Sequence, residues 1–165
     1  RGPGSFTGVR VAVNAARTLG FAAGLPVHAF DSAEILLAQA RQPDLPVAIL
    51  INAYKNLVFA STFGTDEGGI RRKVLSLEAY DLEKLSAEIK VPHVAIGDGF
   101  IVYETAMSAE LRSRLLRDPK IDDFPSAATL IRLVADAKQL RPMVWKDVQA
   151  LYIRASGAEE NLSSK

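Results

Sequence analysis

The sequence has no cysteine, which excludes disulfide staples and every thiolate-based site, whether zinc, iron–sulfur or nucleophilic. A chain without cysteine is compatible with a reducing cytoplasm, and cytoplasmic is the expected location. Histidine is almost as scarce: the two present, His28 and His93, lie far apart and read as ordinary polar residues at strand ends rather than as a metal pair. No apolar run approaches the eighteen or more residues of a membrane helix; the strongest, Val47 to Ile51, is a fraction of that length. No partner membrane is expected. Charge of one sign is lacking too, since 20 Lys plus Arg against 19 Asp plus Glu leave a net charge of +1. A chain so balanced does not hold nucleic acid through a broad basic surface of its own. The densest basic runs, Arg71-Arg72-Lys73 and Arg112, Arg114, Arg117 and Lys120, are diluted by Asp66, Glu67, Glu110, Asp118, Asp122 and Asp123 and read as solvated faces.

What remains is a globular composition, 48% hydrophobic and 24% charged over 165 residues. At that length roughly two-thirds of the unfolded surface can be buried, enough for a core without staples. One domain or two small lobes fits.

The chain opens Arg1-Gly2-Pro3-Gly4-Ser5-Phe6-Thr7-Gly8. The glycines and Pro3 predict a turn running into a helix capped by Ser5 or Thr7 and stopped after Ala23 by Gly24 and Pro26. At 100° per residue Gly8, Ala12, Ala16 and Gly20 form one row beside Val9, Val13 and Leu19, and Val11, Ala15 and Ala22 extend it. The apolar arc covers roughly 200°, twice what a helix on one sheet needs, so this helix is expected to touch two bodies. The row is the candidate partner interface, against the alternative of a helix wholly inside one domain.

Further along, Pro26–Phe30 reads as a strand and Ser32–Ala40 as a helix capped by Asp31 or Ser32. Gln42, Pro43, Asp44 and Pro46 form a polar link, taken as a lobe boundary. Val47–Asn52, Leu57–Phe63 and Arg72–Leu77 read as a strand meander with turns at Ala53–Asn56 and Thr65–Gly69. Helix is predicted over Asp81–Lys90, a strand over Val94–Ile96, helices over Met107–Leu116 and Ser126–Leu140, and a last strand over Leu151–Arg154 before a polar tail. The expected units are residues 1–43, a remnant of an N-terminal lobe, then 44–156, a C-terminal ribonuclease H-like lobe, and the tail 157–165. The first lobe lacks its opening strands, so the arc on its helix would have no covering sheet. The native protein is therefore expected to carry several tens more residues before Arg1.

Gly2-Pro-Gly-Ser-Phe-Thr-Gly-Val-Arg10, the alanine-rich helix, Gly24-Leu-Pro26 and Ser32-Ala-Glu34 resemble the TsaB (YeaZ) family. Gly-Pro-Gly-Ser alone would also suit a tag remnant; the longer motif argues against that. Agreement is strong over residues 1–37 and looser through Gly97-Asp98-Gly99, Pro125-Ser126-Ala127 and Leu151–Arg154. The resemblance implies an α/β, actin-like/Hsp70-like two-lobed fold built on ribonuclease H-like lobes, with the first lobe incomplete. It implies a non-catalytic subunit of the complex that makes N6-threonylcarbamoyladenosine (t6A) in tRNA. The implied partners are the catalytic paralogue TsaD and the ATPase TsaE, with tRNA met only through the complex. It also implies that the first helix docks TsaD, or a second copy of the chain in isolation. The chain departs from the family pattern at the first hairpin of the second lobe, where Asn52-Ala53-Tyr54 replaces Asp-Ala-Arg. That exchange removes a carboxylate and a guanidinium from any phosphate or metal role.

Competing chemistry is thin. A TsaD-type metal enzyme has a His-x-x-x-His pair where this chain has Ser32 and Leu36. Ser5, His93 and Asp98 suit a hydrolase triad on paper, without a G-x-S-x-G elbow. An actin-like ATP-binding enzyme would use Gly2–Gly8 as an anion loop, but the phosphate-loop lysine is absent, as Val9 follows Gly8. Gly97, Asp98 and Gly99, at a strand end, are the candidate cofactor-facing residues, against a plain tight turn. No cofactor is expected in the chain itself, with ATP or ADP only at the complex interface.

Overall fold

The computed structural model describes residues 1–40, 45–136 and 141–153. Its centre is a five-stranded sheet of β1 (Val47–Asn52), β2 (Val58–Thr65), β3 (Arg71–Tyr80), β4 (His93–Ile96) and β5 (Leu115–Leu116), in the order β3-β2-β1-β4-β5. β1 to β3 form an antiparallel meander, and β4 and β5 are added in parallel. This is the order of a ribonuclease H-like sheet.

β1 explains why the apolar run in the sequence is continuous rather than alternating. A central strand with both faces covered has no polar side, and Val47 to Ile51 are all buried. Ala48 and Leu50 point to the face covered by α3 (Leu82–Glu88), α4 (Asp98–Tyr103) and α5 (Ala109–Arg114), where Leu85, Phe100 and Leu111 meet them. Val47, Ile49 and Ile51 point to the opposite face, covered by Ala33 and Leu36 of α2 (Ser32–Gln39). A helix on the N-terminal side of the expected boundary thus covers the second face of the C-terminal sheet. α6 (Ala127–Asp136) packs against α2.

α1 spans Phe6–Ala23, as its punctuation predicts, with Ser5 accepting the Gly8 N–H and Gly24 closing it in the left-handed conformation. α2 is capped by Asp31, whose N–H donates to the Glu34 carboxylate at 2.7 Å.

Several expectations need correction. Pro26–Phe30 is no strand; its one ladder contact is an isolated bridge from Val27 to Met143, because the chain's returning segment meets it there rather than a sheet. The helix expected over Met107–Leu116 ends at Arg114, and Leu115 and Leu116 pair with His93 and Val94. Leu115 is thereby buried under the sheet's edge. Residues 151–153 form no strand, although the Leu151 N–H bonds to the Arg1 carbonyl at 2.8 Å. The link at Gln42-Pro43-Asp44, the end of the Ser126–Leu140 helix beyond Asp136, Arg154 and the tail 157–165 lie outside the described residues.

The β2–β3 turn is held by one carboxylate. Asp66 accepts from the N–H groups of Ile70 (2.8 Å) and Gly68 (3.1 Å) and from the Arg72 guanidinium (2.7 Å). The Ile70 N–H, then Arg72, hold its carboxyl below the usual aspartate value. A lowered folded-state value gives a contribution present above about pH 4 and lost as the pH falls through the depressed value. In an NMR titration the Ile70 amide should therefore report a midpoint below that of an unstructured aspartate; a midpoint at the unstructured value would refute the assignment.

Candidate functional site

α1, the turn before it and the β1–β2 hairpin enclose a cleft of about 440 Å³. Arg1 to Ser5 form one rim. Arg1 is fixed there by an ion pair with Asp31 (Nε to Oδ1, 2.8 Å), and the Gly2 carbonyl accepts the Ser32 N–H at 2.8 Å. Val9, Leu36 and Ile51 make the apolar wall, and Asn52, Tyr54, Asp98, Phe124 and Pro125 the far rim.

The far rim is wired through Asn52. Its N–H donates to Asp98 Oδ1 at 3.0 Å, while its side-chain oxygen accepts from the Tyr54 N–H at 2.9 Å and from the Tyr103 hydroxyl at 3.0 Å. Tyr54, Lys55 and Asn56 all have positive φ (57°, 51° and 59°), so the hairpin turns through three consecutive left-handed residues, none of them glycine. The loop carrying Phe124 is tied to α2 by Gln39, whose Nε2 donates to the Asp122 carbonyl at 2.8 Å and whose Oε1 accepts the Ser126 N–H at 2.9 Å. Beneath it, Asp123 is buried; it accepts the Gly97 N–H at 3.0 Å and pairs with the Arg117 guanidinium.

Gly97, Asp98 and Gly99 occupy different surroundings. Asp98 lines the cleft, whereas the two glycines are buried against the backbone of β1. A Cβ on Gly97 would lie 2.1 Å from the Leu50 carbonyl oxygen, and one on Gly99 2.9 Å. Their smallness serves helix–strand approach. The chain also enters α4 directly at Asp98, with no loop between.

The row on α1 is divided. Val13 and Gly20 are buried within the chain and Val9 and Ala16 are half-buried, whereas Gly8, Ala12, Ala15, Leu19 and Ala22 are exposed. Gly20 is covered by Val27 and Trp145, which a Cβ there would approach to 2.7 and 3.0 Å. Trp145 lies in the 3₁₀ turn Trp145–Asp147, and its ring meets Phe21 edge-on at 5.0 Å. At the other end of α1, Arg10 donates to the Tyr152 hydroxyl at 3.0 Å and stacks over Phe6 at 3.9 Å. The returning segment 143–152 therefore joins α1 rather than the sheet. Placed at 100° per residue, the covered positions fill one half of the arc, and the other half, with Val11 64% and Leu19 62% exposed, faces outward.

Ser32 and Leu36 both line the cleft. Serine and leucine lack the imidazole nitrogens of a His-x-x-x-His metal pair. Among the described residues Ser5, His93 and Asp98 do not form one hydrogen-bonded constellation: Ser5 caps α1, His93 bonds its own Val91 carbonyl at 2.7 Å, and Asp98 holds Asn52.

Comparison with known proteins joins these features to a family. The family model described as "TsaD: tRNA N6-adenosine threonylcarbamoyltransferase" matches residues 1–161. The chain belongs to this family. Its likeness within the TsaD family is to TsaB (YeaZ). The tRNA threonylcarbamoyladenosine biosynthesis protein TsaB of Bacillus subtilis (strain 168) is 32% identical over 74 residues, which is 45% of this chain and 32% of that protein. The match thus spans about a third of that curated relative's length. Two solved structures from Pseudomonas aeruginosa are similar at 26% identity. An uncharacterized protein with similarity to peptidase YEAZ gives a TM-score of 0.72 over 93% of this chain and 70% of that one. YeaZ gives 0.69 over 92% and 71%. The mixed α/β architecture and five-stranded sheet fit the actin-like fold of the TsaD family.

Sequence reasoning missed Gln39, Asn52 as a hub, and Asp123. Each acts through a long-range hydrogen bond that leaves no local periodicity to read.

Proposed function

We propose that this chain is a non-catalytic subunit of the t6A-forming machinery and docks TsaD through the outward half of α1. The observation that carries the reading is that half-arc: Val11, Ala12, Ala15, Leu19 and Ala22 are exposed on a helix whose other apolar half is already covered. Small side chains there let a partner's backbone come close, and the surrounding aliphatics supply apolar area at about 25 cal/mol per Å² before association costs. The family membership and the likeness to a TsaB support the pathway.

TsaE completes the assembly, tRNA is met through the complex, and the isolated chain pairs with a second copy over the same face. The role needs no cofactor in this chain; ATP or ADP belongs at the shared interface. The work is done in the cytoplasm.

Ala12→Arg tests the reading. Ala12 is exposed, so the fold should persist while TsaD capture falls by at least about tenfold, since a guanidinium would be driven into an apolar contact. Undiminished capture of TsaD by a folded Ala12→Arg chain would overturn the interface.

A further inference from the structure

We propose that the cleft beneath α1 is a binding site for a planar organic cation of the amidinium or guanidinium type. The volume, about 440 Å³, lies within the range of small-molecule sites, and the lining divides by chemistry. Val9, Leu36 and Ile51 offer an apolar wall; Tyr54 and Phe124, 58% and 59% exposed, offer two rings at the mouth; Asp98 offers a carboxylate.

Charge decides the ligand class. The cation on the rim, Arg1, is committed to Asp31, and the second acid, Asp123, is committed to Arg117 and the Gly97 N–H. Asp98 accepts one N–H, from Asn52, and has no ion pair among the described residues. A carboxylate offers about four acceptor positions, so Asp98 retains capacity for a forked N–H donor. The positive end of α1 amounts to about half an elementary charge, and Asp98 lies in the first turn of the six-residue α4, whose end adds a share no larger, so the two together do not exceed the full opposite charge of Asp98. An anionic ligand would meet that carboxylate with no uncommitted cationic side chain on the lining to offset it. A cation gains from it, and a flat cation gains again from aromatic faces.

The hairpin holds one of the two rings in place. Three consecutive left-handed non-glycine residues are costly and persist where surrounding structure over-determines them. Here the Asn52 bonds fix the loop that presents Tyr54.

Benzamidine, benzamide and benzoate form a charge series on one ring, and titration of the full-length protein with each tests the site. Benzamidine should bind about tenfold tighter than neutral benzamide, and benzoate more weakly than either. Asp98→Asn keeps an acceptor for the Asn52 N–H, so the fold should stand while the benzamidine preference collapses toward unity. Tyr54→Ala, an exposed change, should weaken benzamidine severalfold and leave the melting temperature unchanged. Benzoate or ATP binding tighter than benzamidine would overturn the proposal. So would an unaltered preference in Asp98→Asn, or no benzamidine binding at millimolar concentration. These readouts do not involve TsaD, so they stand or fall separately from the docking role.

Discussion

Gly97→Ala should lower the stability of the fold by about 3–5 kcal/mol, the sum of overpacking and of strain at a positive φ. Gly97 sits at φ +120°, and its added methyl would come within 2.1 Å of the Leu50 carbonyl oxygen. Leu50 cannot yield, because it is fully buried in the strand that carries both cores. Relief would require moving β1, which pairs with β2 on one side and β4 on the other. Urea denaturation followed by circular dichroism would read the loss as a large drop in midpoint, or as failure to fold. A variant melting within a few tenths of a kcal/mol of the parent would show that the α4–β1 approach is not rigid.

Asp123→Ala should cost about 3 kcal/mol, because it orphans two partners at once. The Gly97 N–H loses its acceptor, and the Arg117 guanidinium, itself 37% exposed, loses its counter-charge. That partial exposure keeps the figure below the upper end for buried pairs, since water can reach Arg117. Asp123→Asn separates the two parts: its amide oxygen can still accept from Gly97, so its loss should be about half as large. Equal midpoints for the two variants would mean that the carboxylate's charge carries the whole effect. No loss in either would remove Asp123 from the account of the fold. Because Gly97 and Asp123 touch, their effects should not add.

The parts of the fold legible in the sequence were those written locally. α1 could be placed from Ser5 to Gly24 because its cap, its glycine stop and its repeating small residues all lie within the helix. β1 was visible as an apolar run because burial on both faces leaves no alternation. The strand expected at Pro26–Phe30 failed because β-branched and aromatic residues mark an extended segment but cannot say whether a partner strand exists; Val27 finds only Met143. Leu115 and Leu116 look helical in the sequence because two residues cannot display a period of two, and only the edge of β4 makes them a strand. The division of the α1 arc into covered and open halves was invisible as well. It depends on Trp145, more than a hundred positions away along the chain, seating itself on Gly20.

That seating sets a boundary condition on any shortened version of the protein. With the segment after Pro142 removed, Phe21 would lose its ring contact, Gly20 its lid and Arg10 its hydroxyl acceptor. α1 would then bare apolar side chains on both flanks instead of one, and association of such a fragment would report the newly uncovered flank.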